Sequence, residues 1–385
     1  MNNFQFKNPT KILFGKGQIA NISKELHMNQ KILMLYGGGS IKKNGVYDQV
    51  MSALKGYNIT EFSGIEANPR YETCLKAIDV VKDENIEFIL AVGGGSVIDA
   101  AKFIAAGVYI ETDPWMILSD RAKVKDALPI GTVLTLPATA SEMNGNSVIT
   151  RESTKEKLAF GSPLVYPQFS VLDPETTFSL PKRQIANGVV DAFSHVMEQY
   201  MTYPADAPLQ DRMAEGILLT LIEEGPKTYE NPTDYNSRAN IMWACTMALN
   251  GVIGVGVPQD WATHGIGHEL TALFDIDHAR TLAIVMPGIF KHKSAQKREK
   301  LLQYASRIWQ LTEGSEEERI NQAIKKTVEF FESLDIKTKL ADYDVKPDAI
   351  SEIADRLAKR NGEIGLGEHQ DIHHDDVVKI LEHAV

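Results

Sequence analysis

Apolar residues run almost unbroken in KILMLY from Lys31, FILAV from Phe88 and TVLTLP from Thr132. Runs of this length and type mark strands buried on both faces. The first ends in Gly37-Gly38-Gly39-Ser40, and residues 44–55 (NGVYDQVMSALK) then carry apolar side chains at helical spacing. The second ends in Gly93-Gly94-Gly95-Ser96, followed by the helix-like VIDAAKFIAAG. Strand, glycine turn and helix, twice over, predict an α/β fold with a doubly wound parallel sheet. The third run opens into a polar loop from Ser141 to Asn146. Ahead of all this, residues 3–14 alternate (FQF, then KILF before a GKG turn), which predicts a short β-ribbon preceding the main fold.

The pattern changes from about Leu180. LPKRQIANGVVDAFSHVMEQYM, LQDRMAEGILLTLIEEG and SRANIMWACTMALNG have helical period, and no alternating strand follows residue 173. DPETTFSLP, with two prolines, marks the boundary. The expected organisation is a dinucleotide-binding α/β domain over residues 1–178 and an all-helical, metal-binding domain over residues 179–385. A chain of 385 residues, 43% hydrophobic, can build both cores.

Composition narrows the function. A formal charge of −11 argues against a nucleic-acid surface. Cys74 and Cys245 cannot make a disulfide framework and read as core residues. The N-terminus lacks a basic segment followed by an apolar run, so no secretory signal is expected. The longest apolar region, residues 88–110, is interrupted by Asp99 and Lys102, each costing roughly 3 kcal/mol in a membrane span. The expectation is a cytoplasmic protein.

Candidate chemistry concentrates between Asp191 and His278. Residues four apart share a helix face, so Asp191 can act with His195, and His264 with His268. His264, His268 and His278 fall among apolar or small residues, where an unpartnered imidazole is costly to bury. Were 264–278 one helix, its ends would lie about 21 Å apart, too far to share an ion. A shared ion therefore demands a chain reversal, and LFDIDHA supplies turn-forming aspartates for it. One carboxylate and three imidazoles suit iron(II), zinc or manganese.

Neither GGGS turn is the G-x-G-x-x-G fingerprint. Glycines nonetheless let backbone N–H groups approach a phosphate, and a following helix adds the positive end of its dipole. The GGGSVIDAAK stretch at 93–102 meets both conditions, and Asp99 near its first turn suits the dipole on its own account. The turn from Gly37 to Ser40, with Lys42 and Lys43 beyond, offers donors and no acid. That is what a 2′-phosphate needs, whereas an NAD site places an acid on the ribose hydroxyls.

Asp191, His195, His264 and His278, set in GVVDAFSH, PQDWATHGIGHELTA and DHARTLAI, resemble the metal site of the iron-containing alcohol dehydrogenase family. The likeness spans essentially the whole chain and favours the NADP-dependent butanol dehydrogenase and broad-specificity aldehyde reductase branch. It implies a dehydroquinate synthase-like fold, a homodimer, NADP(H), and a divalent ion held by those four residues. It assigns Gly94, Gly95 and Ser96 to the pyrophosphate with Asp99 beside the cofactor. Gly38, Gly39 and Ser40 then serve the 2′-phosphate, since family members preferring NAD tend to carry Asp in that turn. Asn68, Thr135, Thr139, Asn144 and Lys157 match residues lining the nicotinamide and ribose, although Ala140 stands where relatives often have Gly. His268, outside the four-ligand set, is expected near the nicotinamide, helping proton transfer.

The C-terminal His369, His373 and His374 form a rival cluster without an apolar frame and read as exposed. Trp243 and Trp261 flank the metal stretch and are expected as core or pocket wall. The implied activity is interconversion of aldehydes and primary alcohols. Rival readings are a polyol dehydrogenase, a sugar-phosphate cyclase of the same fold, a metal-dependent hydrolase and a nucleotide sensor. The cyclase needs a basic cluster around the ligands, which the helical half lacks.

Overall fold

A computed structural model describes residues 1–385. Its strands are β1 (Lys11–Phe14), β2 (Lys31–Tyr36), β3 (Asn58–Phe62), β4 (Phe88–Gly94), β5 (Ile130–Leu136), β6 (Asn146–Arg151), β7 (Glu156–Gly161) and β8 (Phe169–Leu172). Six of them form a parallel sheet in the order β1, β8, β5, β4, β2, β3, and β6 with β7 makes an antiparallel hairpin. Helices α1 (Ser40–Lys43), α2 (Val46–Ala53), α3 (Tyr71–Asp83), α4 (Gly95–Gly107) and α5 (Met116–Ser119) belong to the same half of the chain. α6 (Lys182–Tyr200), α7 (Pro208–Glu230), α8 (Tyr235–Ala248), α9 (Ala262–Phe274), α10 (His278–His292), α11 (Arg298–Arg307), α12 (Glu316–Ser333), α13 (Ala349–Asn361) and α14 (His374–Glu382) follow.

The sheet is covered on both faces, which is why its strands are apolar throughout. Ile32, Met34 and Tyr36 of β2 pack with Val46 and Val50 of α2, while Leu33 and Leu35 pack with α3 and α4. From β2 the chain winds outward to β3, and from β4 it winds the other way to β5. β2 and β4 are adjacent, so the strand order reverses between them and both glycine turns leave the same end of the sheet. Such a reversal opens a crevice for ligands.

Two compact units emerge. One comprises Lys7–Leu180 and Pro232–Thr246, the other Met1–Phe6, Pro181–Asn231 and Met247–Val385. A single cut at 178/179 is thus simpler than the chain's own division. Most of α8 belongs with the sheet, because Met242 joins the apolar core around α3 and α4, and Thr246 donates to Glu142 at 2.6 Å. Helical period identifies a helix and says nothing about whose core it fills.

Two local expectations need correction, and one hairpin was not foreseen. Residues 3–14 form no ribbon: only Lys11–Phe14 is a strand, paired parallel to β8 at the sheet edge. The helix over 44–55 is shorter: Asn44 closes α1, and α2 starts only after Gly45, at φ 80, and ends at Ala53. The polar loop after β5 leads into the β6–β7 hairpin, whose half-polar strands NSVITR and EKLAFG lack a continuous apolar signal. Cys74 and Cys245 are buried and form no disulfide, and no helix is long and apolar enough to cross a membrane.

Candidate metal centre and nucleotide turns

In the helical unit, α6 carries Asp191 and His195 one turn apart, and α9 carries His264 and His268 in the same relation. α9 stops at Asp275, whose φ of 54 is left-handed, and His278 begins α10 after the reversal. α6 and α9 both pack on α10, which draws the three stretches together. Ligand atoms of Asp191, His195 and His264 all lie within 4.8 Å of one another. Asp191 Oδ1 is 3.9 Å from His195 Nε2 and 3.8 Å from His278 Nε2.

Donors about 2.1 Å from one ion can be at most about 4.2 Å apart, so the Asp191–His195 and Asp191–His278 pairs meet the requirement, and the set that includes His264, spread over up to 4.8 Å, must draw in slightly to share the ion. The further observation is burial. Asp191 is 4% exposed, and its Oδ1 is sealed from water without a hydrogen-bond partner. A carboxylate oxygen in that state carries a large desolvation cost unless a cation compensates it. The residues therefore fit a divalent ion.

One participant was missed in the sequence. Glu198 Oε1 accepts the backbone N–H of His264 at 2.9 Å and lies 2.9 Å from His264 Nδ1. With Nδ1 occupied by this carboxyl group, Nε2 is the ring nitrogen left to meet an ion. Carboxylates behind ligating histidines fix tautomer and ring orientation in this way. The signal was available: Glu198 follows Asp191 by two helical turns on one face. Burial and nearby Asp260 push Glu198 up to about 8, against the opposing pull of the His264 N–H and Lys297.

Behind Glu198 lies a buried ionic group. Lys297 Nζ donates to Met201 O at 2.8 Å, Asp260 Oδ2 at 2.6 Å and both oxygens of Glu368 at 2.6 and 2.8 Å. Asp260 in turn accepts from Ala262 N, the first residue of α9, at 2.8 Å. Burial and Asp260 raise Glu368 to about 7. Trp261, left-handed at φ 63, sets its ring 5.1 Å from His264 and 6.3 Å from His195, a wall of the cluster. Trp243 is not: it belongs to the sheet unit, 40% exposed, edge-on to Phe14.

His268 lies 5.0 Å from His278 and 6.2 Å from His264, ring centre to ring centre. The C-terminal histidines do not converge. His369 lies beside Tyr203, His373 caps α14 with Asp376, and His374 pairs with Asp355 and Asp375.

In the sheet unit, the turn after β4 runs directly into α4, so Gly94, Gly95 and Ser96 stand at the start of a long helix. Glycine is needed there, since a Cβ on Gly95 would fall against the Thr139 side chain. Ser96 donates to Ala67 O, and Lys157 Nζ donates to Asn68 Oδ1 at 3.1 Å, which brings β7 and the loop after β3 to this turn. A Cβ on Gly38 or Gly39 would meet nothing within 4 Å, so that turn is open to a phosphate.

Asp99, Thr139 and Asn144 have more structural work than their motif implied. Asp99 accepts from Ser141 Oγ at 2.5 Å and Val148 N at 2.9 Å, so it ties α4 to β6 as well as standing near the helix start. Asn144 Nδ2 donates to Thr139 O at 3.2 Å, and its Oδ1 accepts from Lys102 Nζ at 3.0 Å. Lys102, noted in the sequence only as a membrane-disfavouring charge, is fully buried and also donates to Ser141 Oγ and Asn146 O, both at 2.8 Å. Burial pushes it down to about 8. Thr135 lies on β5, toward the end of the strand.

The first turn needs a correction too. Its own residues include no acid, but β3 delivers one: Glu61 stands 3.5 Å from Lys42 Nζ. A contact nineteen positions apart is invisible to a reading of the turn alone.

A parallel sheet with two glycine turns at its reversal, and a carboxylate–imidazole cluster buried among helices, define a metal- and nucleotide-using class of enzyme fold. Residues 9–174 match the iron-containing alcohol dehydrogenase family and residues 185–385 match the C-terminal region of the Fe-containing alcohol dehydrogenase family. The chain belongs to this family. It is 55% identical to the NADPH-dependent aldehyde reductase YqhD of Escherichia coli K12, covering 100% of both chains. It is 44% identical to the probable NADH-dependent butanol dehydrogenase 1 of Bacillus subtilis, covering 99% of each. The crystal structure of E. coli K-12 YqhD superposes with a TM-score of 0.98 at 54% identity, over 100% of this chain and 99% of that one.

Proposed function

We propose that this chain is a metal-dependent NADP(H) oxidoreductase that interconverts aldehydes and primary alcohols. The observation that carries the reading is the sealed, uncompensated Asp191 oxygen among three imidazoles, in a chain of this family. Similarity to an NADPH-dependent aldehyde reductase favours NADP(H) and the reductive direction. When bound, the ion supplies Lewis acidity toward a carbonyl oxygen and the nicotinamide supplies or accepts the hydride.

Asp191, His195, His264 and His278 would hold the ion, with Glu198 orienting His264. Gly94, Gly95 and Ser96 would receive the pyrophosphate, and Gly38, Gly39 and Ser40 the adenosine end. Asn68 with Lys157, the Thr139–Asn144 loop and Thr135 would define the nicotinamide side, Asp99 bracing that loop from α4. His268 would pass the proton that a newly formed alcohol needs. The protein would work as a cytoplasmic homodimer, to be checked by light scattering and cell fractionation.

NADPH oxidation against a panel of aldehydes, after reconstitution with iron(II), zinc or manganese, tests the reading. Short and medium aliphatic aldehydes should turn over, and sugar phosphates should not. Alanine at any of the four proposed ligands should remove metal and activity together. Full activity in a chelated, metal-free preparation would refute metal dependence, and faster turnover of a polyol or phosphorylated sugar than of butanal would refute the substrate class.

A further inference from the structure

Four side chains meet beside the turn that follows β2. Glu61 of β3 accepts from Tyr47 through Oε1 at 2.6 Å and from Tyr36 through Oε2 at 2.8 Å. Lys42 Nζ lies 3.5 Å from that second oxygen, 5.1 Å from the centre of the Tyr36 ring and 4.6 Å from that of Tyr47. The two partners are held unequally. Two short phenol hydrogen bonds fix the carboxylate, whereas the ammonium is at the outer limit of hydrogen bonding and 48% exposed. Lys42 can therefore leave while Glu61 stays. The phenol bonds also hold Glu61 below the usual carboxylate range, so it is charged at neutral pH.

We propose that Glu61 is a specificity-determining residue that acts through Lys42, holding the ammonium as an internal substitute for the 2′-phosphate of NADP(H). This inference rests on the NADP(H) reading above. An incoming 2′-phosphate, with about two negative charges, must draw Lys42 away from Glu61 before gaining its charge-assisted hydrogen bond. NAD(H), with a free ribose hydroxyl there, makes no such demand. Glu61 thus lowers the preference for NADP(H) below what the turn's donors would give alone, which leaves the site able to use both dinucleotides. Tyr36 and Tyr47 keep the carboxylate from following the lysine, and their rings add cation–π attraction to the ammonium in the position it holds beside Glu61.

A double-mutant cycle on the metal-loaded enzyme tests this, with Kd for NADPH and NADH read by nicotinamide fluorescence. Glu61→Gln should tighten NADPH about five- to tenfold and leave NADH within about twofold. Lys42→Met should weaken NADPH by at least tenfold, and in that background Glu61→Gln should lose most of its effect, the non-additivity expected of a contacting pair. An unchanged NADPH Kd in Glu61→Gln overturns the proposal. So does an equal gain in both backgrounds, which would mean that Glu61 meets the phosphate without Lys42. Should the wild-type protein bind neither dinucleotide, the proposed function itself fails, an outcome distinct from binding with an unmoved ratio. Melting temperatures of the variants within a few degrees of wild type exclude misfolding as the cause.

Discussion

His264 is held twice by one atom: Glu198 Oε1 lies 2.9 Å from its backbone nitrogen and 2.9 Å from Nδ1. The ring cannot rotate without breaking the second contact, and the start of α9 cannot shift without breaking the first. Glu198 is therefore a positioning residue for a proposed ligand that is itself only one turn from Asp260, which holds the first N–H of α9.

Glu198→Ala should lower metal affinity by about ten- to a hundredfold, the usual cost of removing such a support. Glu198→Gln, which keeps an acceptor oxygen, should retain more of it. Metal content after dialysis against a graded chelator reads both. Wild-type affinity in the alanine variant would mean that α9 packing alone positions His264.

His268 gives a contrasting expectation. Its ring lies nearer His278 than His264, but Asp191, His195 and His264 already converge without it. His268→Ala should keep stoichiometric metal while kcat falls and its pH profile changes, because a proton route is lost and a ligand is not. If the metal is lost with the side chain, His268 ligates and one of the four proposed residues does not.

Much of this was legible in sequence, for identifiable reasons. β2 and β4 are buried on both faces, so KILMLY and FILAV are continuously apolar and strand-like without tertiary information. Asp191 with His195, and His264 with His268, are neighbours by helix geometry, a local property. Glu61 near Lys42 depends on the pairing of β3 with β2, and Lys102 at Asn144 on a contact forty-two positions away. Neither relation has a local signature. The alternation of Phe4 and Phe6 misled because period two is a property of any extended chain with mixed residues, and both rings remain about half exposed.

Lys102 spends its ammonium on one loop, with bonds to Ser141, Asn144 and Asn146 that hold residues 141–146 against α4. Lys102→Met strands those acceptors in a buried site. Charged hydrogen bonds of this kind contribute about 1.5–3 kcal/mol each, so a fall in melting temperature is expected. NADPH binding should weaken as well, through Thr139 and Asn144, while metal content stays at wild-type level because every proposed ligand lies in the other unit. Unchanged NADPH affinity in a stably folded Lys102→Met protein would show that the loop does not contribute to the cofactor site.

The choice between dinucleotides can be reversed in the glycine turn, and the backbone decides where to try. Gly39 has φ 90, so an aspartate there is strained by about 1–2 kcal/mol before it touches any ligand. Gly38 is not left-handed, and a Cβ on it meets nothing within 4 Å. Gly38→Asp should therefore fold like wild type and present a carboxylate that repels the 2′-phosphate and accepts from the free ribose hydroxyl of NAD(H). Wild type should favour NADPH, and Gly38→Asp should move the ratio of kcat/KM values toward NADH by at least tenfold. Gly39→Asp should move it the same way with a lower melting temperature, which separates strain from recognition. The assay is initial rates with both cofactors and butanal at fixed ionic strength, since salt screens the charge involved. Equal use of the two dinucleotides by wild type, together with an unmoved ratio in both variants, would remove discrimination from this turn.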